Sequence, residues 1–251
     1  MEGIGFFVSI SLAYAAVCVA WLFCRRWLTA WPTEDVPTTE RPWLDLLLIP
    51  VVAVGVFALG ECFRRGWLLP EPAGAGRYLT VAVNLCIPYA PLALVLLLRR
   101  QSPETVMLSA RALGYKVGVG SLAALVGLMV YLISMGQAGR FGTVMQAAGT
   151  PHALAHAPNV FLEGVAIAFV YERLRWAMGG WASIWVPCLL FAAAHVPRSI
   201  ESGRSPEEIL IWFGFNALLP AMILLVLRRS RDVIWIFIPH YLLDVAIGAF
   251  G

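Results

Sequence analysis

Charge is scarce in this sequence. Its 251 residues include 18 Lys and Arg and 15 Asp and Glu, so charged residues make up 13%, against the roughly 25% typical of soluble domains. Lysine is almost absent, since Lys116 is the single lysine, and the arginines form no basic stripe suited to nucleic acid. The five cysteines are odd in number and lack paired metal-ligand spacing, which argues against a disulfide framework or a zinc motif. The composition thus argues against a soluble domain, a nucleic-acid partner and a disulfide-stapled fold.

Apolar residues take the place of the missing charge. They make up 60% of the chain, and the mean hydropathy is +0.79. Apolar runs of membrane-spanning length recur, and helices are required in lipid because backbone polar groups must pair within the segment. We therefore predict an all-α fold, a polytopic transmembrane bundle of about eight helices that forms a single membrane domain over residues 1–251. The predicted spans are 4–24, 43–63, 78–98, 117–136, 158–178, 181–197, 207–227 and 233–250.

The segments between these spans carry the remaining charge. One set of alternate loops holds 12 Lys and Arg and the other holds 6, so the positive-inside rule places both termini outside the cytoplasm. Residues 102–115 read as a short interfacial helix, and residues 28–42 and 137–157 read as loops. The arginine-dominated basic set and the short loops are typical of a prokaryotic inner (plasma) membrane protein.

Polar side chains inside the spans are concentrated in the second half of the chain. Residues 1–136 read as scaffold helices, whereas residues 158–250 contain Glu163, His195, His240 and Asp244. Ionisable residues within a membrane helix are costly and usually functional. His240 and Asp244 are four residues apart, so they share one helix face. A carboxylate and two imidazoles around one cavity could bind a metal ion or activate a water molecule.

Each of these residues also has a structural interpretation. His195 could cap the end of the sixth span, and His240 with Asp244 could be a hydrogen-bonded pair between helices. Glu163 could be a buried structural acid. Glu172, with its neighbouring arginines, reads most simply as the solvated end of the fifth helix, where long side chains reach water.

Two short motifs resemble the CAAX protease and bacteriocin-processing family of intramembrane proteases, also called the Abi family. Phe191 and His195 match its Phe-x-x-x-His motif, and His240 and Asp244 match its His-x-x-x-Asn/Asp motif. The stretch Tyr171-Glu172-Arg173-Leu174 lies upstream of both, as in that family. The resemblance covers about residues 158–250, and the predicted number of spans also fits such proteins.

The first motif of that family, Glu-Glu-x-x-x-Arg-Gly, is only partly present. Aligning on Tyr171–Leu174 places Leu162 and Glu163 at the Glu pair and Ile167 at the Arg. In a rival alignment Glu172 is the motif Glu and Arg175 stands in for the Arg. The longer separation from His195 favours Glu163.

The resemblance implies a mechanism. Glu163 would take a proton from a water molecule that His195 helps to orient, and the water would attack a peptide carbonyl. His240 would stabilise the oxyanion, and Asp244 would fix the tautomer of His240 or hold the water. The cofactor remains open: a zinc ion held by His195, His240 and Glu163, or none.

Three functions remain possible at this level. The first is an intramembrane endopeptidase acting on a membrane-tethered protein or peptide with a prenylated or otherwise hydrophobic tail. The second is a catalytically degenerate relative that acts as a binding or immunity protein. The third is a transporter or proton pathway, for which we see neither an inverted repeat nor a full polar path.

Overall fold

The computed structural model describes residues 4–27, residue 31 and residues 41–248. In these ranges it contains α-helices and short 3-10 turns and no β-strand, which confirms the predicted all-α bundle. The helices are α1 (Ile4–Trp27), α2 (Pro42–Arg64), α3 (Gly76–Cys86), α4 (Ala90–Leu98), α5 (Leu113–Ser134), α6 (Phe141–Ala148), α7 (Pro151–Ala177), α8 (Ala182–Glu201), α9 (Pro206–Ser230) and α10 (Ile234–Ile247).

Within the described residues, seven helical segments are long and apolar enough to cross a membrane, which makes the chain an integral multi-pass membrane protein. One of them is the α3–α4 segment, Gly76–Leu98, which is interrupted by a 3-10 turn at Ile87–Tyr89. Pro88 and Pro91 explain the interruption, since a proline cannot donate the helical hydrogen bond. The predicted third span is therefore two short helices in series.

The eighth predicted span, 233–250, is wrong in length. The structure has the 14-residue α10 there, and its side chains are largely covered by protein: Trp235 and Leu243 are fully buried. A helix of this length that packs on α5, α6 and α7 is a core helix rather than a lipid-facing span.

Two predicted connections are also wrong. Residues 102–115 form no separate interfacial helix: they contain a 3-10 turn at Pro103–Val106, an irregular stretch that begins at Met107, and the first residues of α5. Val106 and Met107 are buried. The Met107 carbonyl accepts a hydrogen bond from the Val233 amide, which fixes this stretch to the start of α10.

The predicted loop 137–157 contains the short helix α6 and the first turns of α7. Thr150 caps α7 by accepting a hydrogen bond from the Ala153 amide, and Pro151 occupies its first turn. Because α7 then continues through Pro158, Glu163 lies near the middle of a 27-residue helix.

Helices α7 and α10 pack against each other at the centre of the bundle. Helix α7 also contacts α2, α3 and α8, while α5 joins α10 to α1. Three indoles tie α1, α9 and α10 together. The indoles of Trp21 and Trp235 stack on each other. The indole of Trp31 donates to the Ser230 carbonyl at 2.7 Å. This packing positions the polar side chains of α7 and α10 face to face.

Two glycines on α5 permit its close approach to neighbouring helices. A Cβ at Gly120 would lie 2.5 Å from the Trp235 carbonyl oxygen, and one at Gly127 would lie 2.5 Å from a Val17 methyl group. Small residues at such crossings are a common solution in membranes, where van der Waals packing drives helix association.

We expect Gly120→Ala to destabilise the protein by about 1–3 kcal/mol, the usual cost of overpacking, because the obstructing atom is backbone. Gly118→Ala is the matched control, since nothing lies within 4 Å of a Cβ there. Thermal unfolding in detergent micelles measures both. Equal midpoints for the two variants would contradict the close approach of α5 and α10.

Candidate functional site

Glu163, His195, His240 and Asp244 form what we call the intramembrane polar site. His240 Nε2 lies 3.9 Å from Glu163 Oε2 and 3.6 Å from Asp244 Oδ2. These distances exceed a direct hydrogen bond, so the three groups are close neighbours that are not hydrogen-bonded to one another. The side chains of His240, Glu163 and Asp244 are 17%, 20% and 19% exposed, so a small molecule can reach them although they are largely covered.

His195 projects from α8 toward the same region. It lies close enough to Glu163, His240 and Asp244 to interact with them electrostatically. Its Nδ1 lies 2.8 Å from the Phe191 carbonyl oxygen, and its ring lies 4.5 Å from the Phe191 ring. A carbonyl can only accept, so Nδ1–H is the donor, and Nε2 of the neutral ring carries the lone pair. Since α8 continues to Glu201, the alternative of His195 as a helix cap is wrong.

The site departs from a catalytic-triad arrangement. In a triad the carboxylate and the reactive group face opposite nitrogens of the imidazole. Here the closest approaches of Glu163 and Asp244 are both to Nε2 of His240. The arrangement is therefore not that of a triad, and the role of Asp244 in fixing the tautomer of His240 stays a prediction. In this geometry Asp244 and Glu163 approach the same imidazole nitrogen, Nε2 of His240.

Glu172 lies apart from this site. Its carboxylate is fully buried and accepts hydrogen bonds from Arg175, at 2.7 and 2.9 Å, and from Arg231, at 2.8 Å. Nine residues of α7 separate Glu172 from Glu163, about 13 Å along the helix axis. The structure thus brings Glu163, and not Glu172, to His240. The interpretation of Glu172 as part of a solvated helix end is wrong, because its own carboxylate is fully buried, although Arg175 and Arg231 remain partly exposed.

Glu172 belongs to a set of buried charges at one end of the bundle, which we call the buried charge layer: Asp45, Lys116, Glu172, Arg173 and Asp232. Lys116 Nζ contacts Asp232 Oδ2 at 2.5 Å. Arg173 donates to the Thr105 carbonyl and to Gln101 Oε1. Burial raises the pKa of the Asp232 carboxyl above its ordinary value, and Lys116 opposes that rise. The buried charge layer therefore connects the ends of α2, α5, α7 and α9.

Three side chains beside the site were missed by sequence reasoning. Asn159 Nδ2 donates to Glu163 Oε1 at 2.7 Å, and Tyr89 OH lies 3.5 Å from Asn159 Oδ1. The Tyr14 ring packs edge-on at 6.4 Å from the His240 ring. The four-residue spacing of Asn159 and Glu163 could have revealed the first, but nothing in the sequence places Tyr89 or Tyr14 there. Tyr14 and Tyr89, from the predicted scaffold half of the chain, therefore lie beside the intramembrane polar site.

In the described structure, the predicted metal ligands do not lie close enough together to form a coordination sphere; they are His195, His240 and Glu163. Across residues 4–27, 31 and 41–248, no three His, Cys, Asp or Glu side chains lie close enough to hold one metal ion. The donor types themselves suit zinc, so the zinc ligand set stays a prediction.

In comparisons with known proteins, no family model, no curated protein and no solved structure matches the chain.

Proposed function

We propose that the chain is an intramembrane endopeptidase that hydrolyses a peptide bond of a membrane-tethered protein. The observation that carries the proposal is the flanking of His240 Nε2 by the carboxylates of Glu163 and Asp244, at 3.9 and 3.6 Å. The resemblance of the Phe191/His195 and His240/Asp244 motifs to the CAAX protease and bacteriocin-processing family supports the reaction type. A carboxylate beside imidazoles is the arrangement that general-base activation of water requires.

The proposed reaction gives each group a separate role, and Glu163 acts first as base and then as acid. Glu163 accepts a proton from the water, whose oxygen attacks the peptide carbonyl, and His195 Nε2 accepts the water's other hydrogen bond. His240 donates to the oxyanion, a contribution of about 3–4 kcal/mol for one such donor. Glu163 then returns its proton to the leaving amine. Asp244, on the other side of His240 Nε2, favours the tautomer of His240 that carries the hydrogen on Nε2 and donates it to the oxyanion.

The position of the site defines the substrate class. Glu163 lies near the middle of the membrane-length helix α7, and the exposed surface of the surrounding helices is largely apolar. A bond cut there must enter from the bilayer, as in a protein with a prenylated or otherwise hydrophobic tail. We further propose that the protein resides in a prokaryotic inner membrane, on the basis of its arginine-dominated basic residues and short loops.

A comparison of membrane-protein termini tests the proposal. Cells expressing the wild-type chain, Glu163→Gln or Glu61→Gln are compared by mass spectrometry of new amino and carboxyl termini. Glu61 is an exposed carboxylate in α2, so its variant controls for the change of charge. New termini in or beside hydrophobic segments should appear with the wild type and Glu61→Gln and be absent with Glu163→Gln. Identical termini in all three would contradict a peptidase.

A second candidate is a non-catalytic binding or immunity protein. Leu162 and Ile167 stand where the resembling family has the first Glu and the Arg of its first motif, and this difference favours the alternative. It predicts that Glu163→Gln leaves the biological phenotype of the protein intact, whereas the peptidase proposal predicts its loss.

Asp244 provides a finer test of the mechanism. Because it serves as a hydrogen-bonding partner rather than as the base, Asp244→Asn should retain cleavage within about 10-fold, the effect of weakening one hydrogen bond to a charged group. Asp244→Leu, which removes the partner, should lose about 10²-fold or more, the scale of one lost donor or positioning contact. Initial cleavage rates in lipid vesicles measure both. An inactive Asp244→Asn that remains folded would make Asp244 the base.

A further inference from the structure

Glu163 is held by a neighbour on its own helix. The Asn159 amide donates from Nδ2 to Glu163 Oε1 at 2.7 Å, one helical turn away. The other carboxylate oxygen, Oε2, is the one that approaches His240. Asn159 therefore occupies one oxygen of Glu163 and leaves the second to face the imidazole.

Tyr89 supports Asn159 from the first half of the chain. Its hydroxyl lies 3.5 Å from Asn159 Oδ1, at the long limit of a hydrogen bond. An asparagine amide has a donor end and an acceptor end. Since an ionised Glu163 can only accept, the donor end must face Glu163, and Oδ1 is then left for Tyr89 to donate to. The break at Pro88 between α3 and α4 places the Tyr89 ring beside α7.

We propose that Asn159, supported by Tyr89, is a positioning residue that orients the Glu163 carboxylate toward His240 and stabilises its ionised form. The inference rests on the proposed function for its effect on rate, but the orientation of Glu163 has a consequence that needs no substrate. A carboxylate that loses a hydrogen bond to its charged form spends more time protonated. The protonated form is the one that dicyclohexylcarbodiimide labels in apolar surroundings.

Two readouts are therefore measured on the full chain in lipid vesicles at fixed pH. The first is the rate at which dicyclohexylcarbodiimide labels Glu163, followed by mass spectrometry of the α7 peptide. The second is kcat and KM for a cleaved substrate. The variants are Asn159→Leu, Asn159→Asp and Tyr89→Phe, with Tyr78→Phe as the control for removal of a hydroxyl from the same segment of the chain.

Asn159→Leu should label several-fold faster than the wild type and lose about 10–100-fold in kcat with KM nearly unchanged, the scale of misplacing a catalytic group by about 1 Å. Asn159→Asp should label faster still, because a second carboxylate would face Glu163. Tyr89→Phe should show a smaller loss, about 2–10-fold, as expected for one neutral hydrogen bond. Tyr78→Phe should match the wild type in both readouts.

The outcomes separate the two proposals. Unchanged labelling and unchanged kcat in Asn159→Leu would overturn the positioning role. A fall in kcat without faster labelling would also overturn it, since a merely structural defect has that signature. Faster labelling in a chain that cleaves nothing supports the orientation of Glu163 and contradicts the peptidase. Should Asn159→Leu fail to fold, Tyr89→Phe decides: faster labelling supports the role, and wild-type labelling overturns it.

Discussion

Glu163→Gln will reduce the rate of substrate cleavage by about 10²–10⁴-fold, the usual contribution of a general base, while the protein remains folded. Glutamine keeps the size of the side chain and its acceptor oxygen, so the hydrogen bond from Asn159 at Oε1 can persist. It cannot take a proton from water. Because Glu163 is 20% exposed and lies 3.9 Å from His240, beyond a direct hydrogen bond, its replacement leaves no strongly bound partner unpaired.

Initial rates with the purified protein in lipid vesicles measure this loss, and the thermal midpoint measures folding. Glu61→Gln is the matched control, with the same change in charge at an exposed site, and it should cleave at the wild-type rate. A Glu163→Gln variant that cleaves within 10-fold of the wild type would remove Glu163 from the mechanism.

Glu172→Gln will have the opposite effect: it will lower the stability of the protein by about 3–5 kcal/mol, the cost of breaking a buried ion pair by removing one partner. The Glu172 carboxylate is fully buried and accepts hydrogen bonds from two arginines, Arg175 and Arg231. Their charges would lose their counterion at the junction of α7 with the end of α9. The residual activity of the folded fraction should remain close to that of the wild type.

Glu61 again supplies the control, because it also accepts from two arginines, Arg64 and Arg65, but on the exposed surface. Solvent screening makes such pairs worth at most about 1 kcal/mol. Denaturation in detergent micelles should therefore separate Glu172→Gln from Glu61→Gln by several kcal/mol. If Glu172→Gln proved stable but inactive, Glu172 would be the functional acid, and the alignment that places Glu163 at the first motif would be wrong.

The parts of the site that were predictable are those that depend on one helix. The spacing of His240 and Asp244, and that of Phe191 and His195, fixes each pair on one face of a helix, and the structure places both pairs in contact. The placement of Glu163 beside His240 depends on how α7 packs on α10. No local pattern contains that information, and only the resemblance to a family indicated it.

The environment of Glu172 shows why contacts between distant helices could not be predicted from the sequence. Its surroundings look like a charged helix end in the sequence, but its partner Arg231 lies 59 residues away, after two further membrane helices. Only the tertiary packing converts a solvated charge cluster into a buried ion-pair network.

The start of α7 is a different case, because Thr150 and Pro151 are ordinary signals for the first turn of a helix. The predicted loop over residues 137–157 is nevertheless wrong, because a helix in a bundle can continue through a proline, as α7 does at Pro158.

Cleavage in ¹⁸O-labelled water tests the central claim most directly. If water activated at the Glu163–His240 pair attacks a peptide carbonyl, each new carboxyl terminus will carry one ¹⁸O atom within or beside a hydrophobic segment. The label will appear with the wild-type chain and not with Glu163→Gln. If folded wild-type and Glu163→Gln proteins give the same set of labelled termini, or if neither gives any across a broad panel of membrane-tethered substrates, the intramembrane polar site does not hydrolyse peptide bonds.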